Sequence, residues 1–253
     1  MMWIGTRRAK RAPVRIGEAT FAVIDVETTG IDTTVDRVVE VACVLVRPGQ
    51  PVEAFTTFVN PGRPIPATAS AIHHITNRDV WDAPSLEAVQ AKLKMMCAGA
   101  VVVAHNARFD LAFLPFLAHR PVLCSMRLAM RVLPDAPNYK NQVLRYYLGL
   151  DDGVLGGSLP HRALGDAQVT SRILAICLDR YRAQGGADDI DQLVREIGAP
   201  RRLVALPFGR HRGIEIASVP TDYLRWLYRE SHSASVDARY TAQCELQRRA
   251  PAS

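Results

Sequence analysis

The first apolar run of the chain, Phe21-Ala22-Val23-Ile24, has no polar alternation, and Asp25-Val26-Glu27 prolongs it with alternation until Thr28-Thr29-Gly30 breaks it. This pattern predicts a core strand that ends in a polar turn. Arg37 to Val46 and Glu53 to Val59 are two further β-rich runs, and Arg47-Pro48-Gly49-Gln50-Pro51 between them is a turn signal of the kind that joins antiparallel strands. Beyond the Pro-rich stretch Asn60 to Pro66, Leu86, Val89, Leu93 and Met96 mark one face of a helix over Pro84 to Met96. Val101 to Ala104 reads as a buried strand, Phe109 to His119 as a helix, Pro121 to Cys124 as a short strand and Asn141 to Leu148 as a helix. A long helix follows from about Leu164 to Ala183, closed by Gln184-Gly185-Gly186. A three-strand meander followed by alternating helices and strands implies an α/β fold with a mixed sheet flanked by helices.

The pattern divides the chain into three parts. Residues 1–19 lack periodicity, are rich in Arg and Lys, and read as a flexible basic arm. Residues 20–185 form the α/β domain. Residues 200–253 read as a small module, with Leu206-Pro207-Phe208-Gly209-Arg210-His211-Arg212-Gly213 as a tight turn between short strands and Asp222 to Arg229 as a helix. A hairpin plus a helix in about 50 residues is marginal for independent stability, so docking on the first domain or on a partner is expected.

Composition narrows the class. Apolar residues are 48% and charged residues 22% of the 253, the mix of an ordinary folded protein. Apolar stretches such as Gly99 to Ala104 are far shorter than the roughly 20 residues that span a bilayer, so no membrane segment is expected. Met1 to Ile16 is basic and has no apolar segment followed by a small-residue cleavage site, which does not read as a secretory leader; a cytoplasmic location is expected. The cysteines, Cys43, Cys97, Cys124, Cys177 and Cys244, show neither C-x-x-C nor paired-His spacing, which argues against a zinc site and a disulfide framework. The net charge of +6 is uneven: residues 1–20 and 201–253 each carry +4, and the middle carries −2. Basic ends around an acidic middle suit a phosphate backbone and metal ions, or a solvated surface with a basic arm.

The candidate chemistry lies in that acidic middle. Asp25 and Glu27, two apart in a strand, project from one face near its C-terminal end. An exposed strand would merely wet them. In a strand buried on both faces, paired acids must protonate or coordinate a metal. Asp110 falls in the first turn of the helix after Val101 to Ala104, where it could also serve only to complement the helix dipole. His161 and Asp166 are five apart, roughly 140° around a continuous helix, so the spacing places His161 in the loop after Gly156-Gly157-Ser158-Leu159-Pro160 and Asp166 in the helix. A loop histidine suits proton transfer, although a surface His and a helix-starting Asp are the plainer alternative.

In order, the chain reads Asp25-x-Glu27-Thr28-Thr29-Gly30, Ile72-His73-His74-Ile75-Thr76, His105-Asn106-x-x-Phe109-Asp110 and His161-x-x-x-x-Asp166-Ala167. This set resembles the DEDDh subclass of the DnaQ-like 3′ to 5′ exonucleases. The resemblance implies an RNase H-like fold in which Asp25, Glu27, Asp110 and Asp166 hold two Mg²⁺ ions, with Mn²⁺ able to substitute. It also implies His161 as general base, 5′-mononucleotides as products, and Thr28 and His73 as substrate contacts. Oxygen-only ligands favour Mg²⁺ or Mn²⁺ over zinc, and paired ions can clamp both oxygens of a phosphodiester displacement. Two departures stand out: Thr68 occupies a place where many members carry Glu, and Cys124-Ser125-Met126 stands where Asp-Thr is frequent.

Residues Leu206 to Gly213 and Val219-Pro220-x-x-Tyr223-Leu224-x-Trp226-Leu227 resemble the small module of exonuclease X-type enzymes. Arg210 and Arg212 are candidate phosphate contacts there, while Tyr223, Trp226 and Leu227 share helical spacing and are expected chiefly as core. The expected partner is nucleic acid, DNA ahead of RNA, with a polymerase or repair partner left open. The alternatives are an exoribonuclease trimming RNA ends and a polymerase-associated or noncatalytic nucleic-acid-binding module.

Overall fold

The computed structural model describes residues 14–150, 160–231 and 234–250. The chain divides between Gly198 and Ala199 into two compact units. In the first, β1 (Phe21–Thr28), β2 (Val38–Val46), β3 (Glu53–Phe58), β4 (Val101–Ala104) and β5 (Val122–Cys124) form one sheet in the order β3-β2-β1-β4-β5. β1 pairs antiparallel with β2 and parallel with β4; β2–β3 is antiparallel and β4–β5 parallel. The expected mixed sheet is therefore present, with β1 at its centre.

Period two along β1 sorts its side chains onto two cores. Phe21 and Val23 join a cluster with Ala42, Val44, Val101 and Val103 beneath the long helix Ala163–Ala183. Ala22, Ile24 and Val26 join the opposite cluster, with Val89, Leu93 and Met96 of the helix Leu86–Met96 and Phe113 of the helix Ala107–Phe113. Asp25 and Glu27 continue the first set, so they emerge on the face that the long helix covers. The register of β1 against β2 slips between Glu27 and Thr28, a bulge at the point where the strand must turn away from its neighbour.

In chain order the helices are α1 (Ala67–His73), α2 (Leu86–Met96), α3 (Ala107–Phe113), α4 (Ser125–Val132), α5 (Asn141–Tyr147), α6 (Ala163–Ala183), α7 (Ile190–Gly198), α8 (Thr221–Arg229) and α9 (Val236–Arg249). The helix read over Phe109 to His119 is shorter than expected: α3 ends at Phe113 and a 3₁₀ turn, Pro115–Leu117, replaces the rest, because Pro115 cannot sit inside a continuing helix. α1, α4 and α7 were not anticipated. α7 extends the first unit past residue 185, burying Ile190, Leu193 and Ile197 in the core under the sheet. Residues 1–13 of the expected arm lie outside the described residues; Val14 to Ala19 do not behave as an arm, since Ile16 and Ala19 are buried in that same core.

In the second unit the expected hairpin is reduced to two isolated bridges, Ala205 to Glu215 and Leu206 to Arg212, and a second helix, α9, packs on α8. The aromatics behave as expected of core: Tyr223 and Leu227 are buried with Leu206, Val219 and Leu224, while Trp226 at the helix surface remains 40% exposed.

α6 stops where glycine is required. Gly185 takes φ +83°, and the Gly186 N–H donates to the Tyr181 carbonyl at 2.9 Å. A Cβ on Gly186 would fall 2.4 Å from the ring of buried Tyr181. Gly186→Ala is therefore expected to lower stability by about 1–3 kcal/mol through forced displacement of that ring, read as a lower urea midpoint; an unchanged midpoint would contradict this packing.

Candidate active site

The end of β1 collects acids from three elements. Carboxylate oxygens of Asp25 and Glu27 from β1 and of Asp166 from the first turn of α6 all lie within 4.8 Å of one another. Asp110, from α3 at the C-terminal end of β4, stands outside that closest group yet is 2% exposed. Backbone N–H groups of Asp110 itself and of Val26 in β1 favour its ionised form, against its burial. All four predicted ligands thus converge on one end of the sheet, three of them in mutual contact range.

Their proton affinities show the strain of that arrangement. Burial pushes Asp25 well above the usual carboxylate range, with the charges of Asp110, Asp166, Glu27 and Glu40 adding to it. Burial and then Asp166, Glu40 and Asp110 raise Glu27 to about 8, against the pull of Arg162. Asp110 is raised to about 7, chiefly by burial. Asp166 is also raised by burial, opposed first by its hydrogen bond from Gln142 and then by His161. Carboxyls displaced upward in this way need either protons or cations. A cluster of oxygen donors with no sulfur or imidazole among its contacting atoms fits a hard divalent cation.

His161 sits at the entrance to α6 with an exposed side chain and φ of 60°, and its N–H donates to Asp166 Oδ2 at 3.1 Å. The Gly156 to Leu159 stretch of the loop expected to carry it lies outside the described residues. Thr28 spends its hydroxyl proton on the Gly30 carbonyl at 2.6 Å, the turn-forming role that a strand-end threonine often takes. His73 is 2% exposed; its Nδ1 accepts from the Ile75 N–H at 3.0 Å, while the buried Nε2 has no hydrogen-bond partner and the ring packs close to the Thr28 backbone. Arg210 and Arg212 are exposed in the second unit, the Arg210 guanidinium 5.0 Å from the centre of the Tyr223 ring.

Several supporting residues carried no signal that spacing could reveal. Gln142 Nε2 donates to Asp166 Oδ1 at 2.5 Å, and Asn141 Nδ2 bonds Thr170 Oγ1 at 2.7 Å, so the start of α5 braces the start of α6. His105, read only as part of a motif, ties the end of β4 to the loop before α5: its Nε2 donates to the Tyr139 carbonyl at 2.7 Å and its Nδ1 accepts from Ser125 Oγ at 2.9 Å. Asp36 explains Gly30, since a Cβ there would lie 2.3 Å from the Asp36 carboxylate, which accepts from Thr29 Oγ1 at 2.9 Å.

The RNase_T family model, described as an exonuclease, matches residues 22–174. Exodeoxyribonuclease 10 of Escherichia coli K12 is 33% identical over 228 residues, which cover 89% of this chain and 98% of that protein. A DNA polymerase III subunit epsilon-like protein of Rhodobacter capsulatus is 37% identical over 69% of this chain, which spans 26% of that protein; a Mycobacterium tuberculosis relative is likewise spanned over 28% of its length. Among solved structures, Exonuclease X in complex with 5′ overhanging duplex DNA matches with a TM-score of 0.58 and 34% identity, over 70% of this chain and 99% of that one. E. coli Exonuclease I bound to a dT13 oligonucleotide shares the fold at 16% identity, TM-score 0.55. The chain belongs to this exonuclease family, and within it to the DnaQ-like 3′ to 5′ type.

The raised carboxyls carry a sign for pH. A carboxyl whose folded value lies above its unfolded one binds more protons when folded, so its ionisation costs stability as pH rises from the ordinary range near 4.5 to about 8. In EDTA the melting temperature should fall across that window, Mg²⁺ should restore it most at the alkaline end, and Asp25→Asn should raise the EDTA value by roughly 4 °C. A melting temperature insensitive to Mg²⁺ at both ends would contradict the reading.

Proposed function

We propose that this chain is a 3′ to 5′ exonuclease that removes 5′-mononucleotides from the ends of DNA, single-stranded or frayed. The observation that carries the reading is the packed acid cluster at the end of β1, within a chain that belongs to an exonuclease family. Asp25, Glu27, Asp110 and Asp166 would hold two Mg²⁺ ions, or Mn²⁺ in their place. Divalent cations bound there supply Lewis-acid stabilisation of the charge on the phosphodiester and lower the pKa of the attacking water. His161, exposed beside Asp166, takes the proton of that water, a role that an imidazole nitrogen with a free lone pair can fill. Thr28 and the buried, unpartnered Nε2 of His73 would meet the terminal nucleotide, the threonine through its lone pairs because its proton is engaged.

DNA is favoured over RNA because the relative matched nearly end to end is named for DNA, and because that match, 228 residues long, must extend beyond the first unit. In the second unit Arg210 and Arg212 would contact phosphates. A polymerase-associated role is the second reading, supported by the epsilon-like relative. No described helix is long and apolar enough to cross a membrane, and a cytoplasmic setting is the one we propose.

The test is degradation of 5′-labelled single-stranded DNA and RNA of identical sequence with Mg²⁺, with Asp25→Asn as control. A DNA ladder shortening from the 3′ end and reduced by about 10³-fold or more in the variant is expected. Faster RNA shortening would transfer the assignment to RNA trimming, and binding without cleavage would remove the enzymatic reading.

A further inference from the structure

Glu40 is a buried acid that none of the roles above uses. It is 4% exposed in β2, is the strand partner of Glu27, and adds to the upward displacement of both Asp25 and Glu27. A carboxylate in such a place persists only when it is paired. Both of its oxygens are taken by the start of α6: Oε1 accepts from Arg162 Nη2 at 2.8 Å, and Oε2 accepts from Arg162 Nε at 3.1 Å and from the Ala163 N–H at 2.9 Å. The guanidinium also lies 5.2 Å from the centre of the Phe58 ring. The pairing is a two-pronged fork, the geometry that fixes direction as well as distance, and it also satisfies a helix N–H that would otherwise lack an acceptor.

Arg162 is the residue before α6 and immediately follows His161. His161 holds φ at 60°, a conformation side-chain-bearing residues seldom adopt without restraint. Two anchors supply the restraint. On one side its own N–H is bound by Asp166; on the other the next residue is forked onto Glu40. Glu40 therefore links the strand beside the Asp25 and Glu27 carboxylates directly to the backbone that presents the imidazole.

We propose that Glu40 and Arg162 form a positioning pair that orients His161 toward the acid cluster for proton transfer, without touching the substrate. This rests on the exonuclease reading with His161 as the base. Glu40→Gln and Arg162→Lys would be made in the full chain, each with His161 intact and with His161→Ala, and kcat and KM measured on single-stranded DNA with Mg²⁺. With His161 present, each change should lower kcat by roughly 10- to 100-fold and leave KM within about twofold. With His161→Ala, the same change should cost less than about twofold more, because the group being oriented is gone. Equal losses in both backgrounds, or no loss in either, would overturn the pair's role. Arg162 is partly exposed, so Arg162→Lys keeps the test available if Glu40→Gln fails to fold. A parent chain inactive with Mg²⁺ would instead remove the exonuclease reading, and the pair's role with it.

Discussion

Asp25, Glu27 and Asp166 bring carboxylate oxygens within 4.8 Å of one another where burial has stripped away most of the water that would screen them. Like charges at that separation cannot all ionise without an opposing charge close by. The fold supplies little of it. Arg162 draws Glu27 downward but is forked onto Glu40, and His161 and Arg145 draw Asp166 downward without overcoming its burial. Much of the architecture around the site serves to hold this unfavourable cluster in place. On the reading proposed above, the cations would relieve that cost: the residues that would bind them are costly to keep together alone.

Holding the cluster together falls to elements with little chemistry of their own. Period two in β1 puts both strand acids on the face beneath α6, and the apolar stripe of α6, from Ala163 and Ala167 to Ile173 and Cys177, seats the helix so that Asp166 arrives at the same end. Gln142 then fixes one Asp166 oxygen and the His161 N–H the other. His105 anchors the loop that delivers Gln142. The same bonds stabilise the ionised form of Asp166, so the bracing also tunes its charge.

Most of the first unit was legible in the sequence because its strands are short apolar runs and its long helix keeps a regular stripe. α4 and α7 were missed although both bury apolar residues, because each lies between stronger signals and is only eight or nine residues long. α9 was missed for a different reason: its buried face is Ala238, Thr241, Ala242 and Glu245, small or polar residues that leave no apolar period to read. The acids and the histidine could be named because motif spacing marks them. Glu40, Asp36 and Gln142 could not, since their roles depend on partners between 6 and 123 residues away that only the folded chain brings near. The hairpin read over Leu206 to Gly213 illustrates the opposite error, where correct turn residues close a loop whose flanks make bridges rather than strands.

If these acids are the metal ligands proposed, their raised carboxyls give up protons as metal binds. Calorimetric titration of Mg²⁺ into the chain near pH 7.5, repeated in buffers of different ionisation enthalpy, reads this directly as the number of protons released on binding. With Glu27 raised to about 8 and Asp25 raised as well, binding should release on the order of one proton per chain, and Asp25→Asn should weaken binding and reduce the release. Binding with no proton release, or binding untouched by the substitution, would contradict the account.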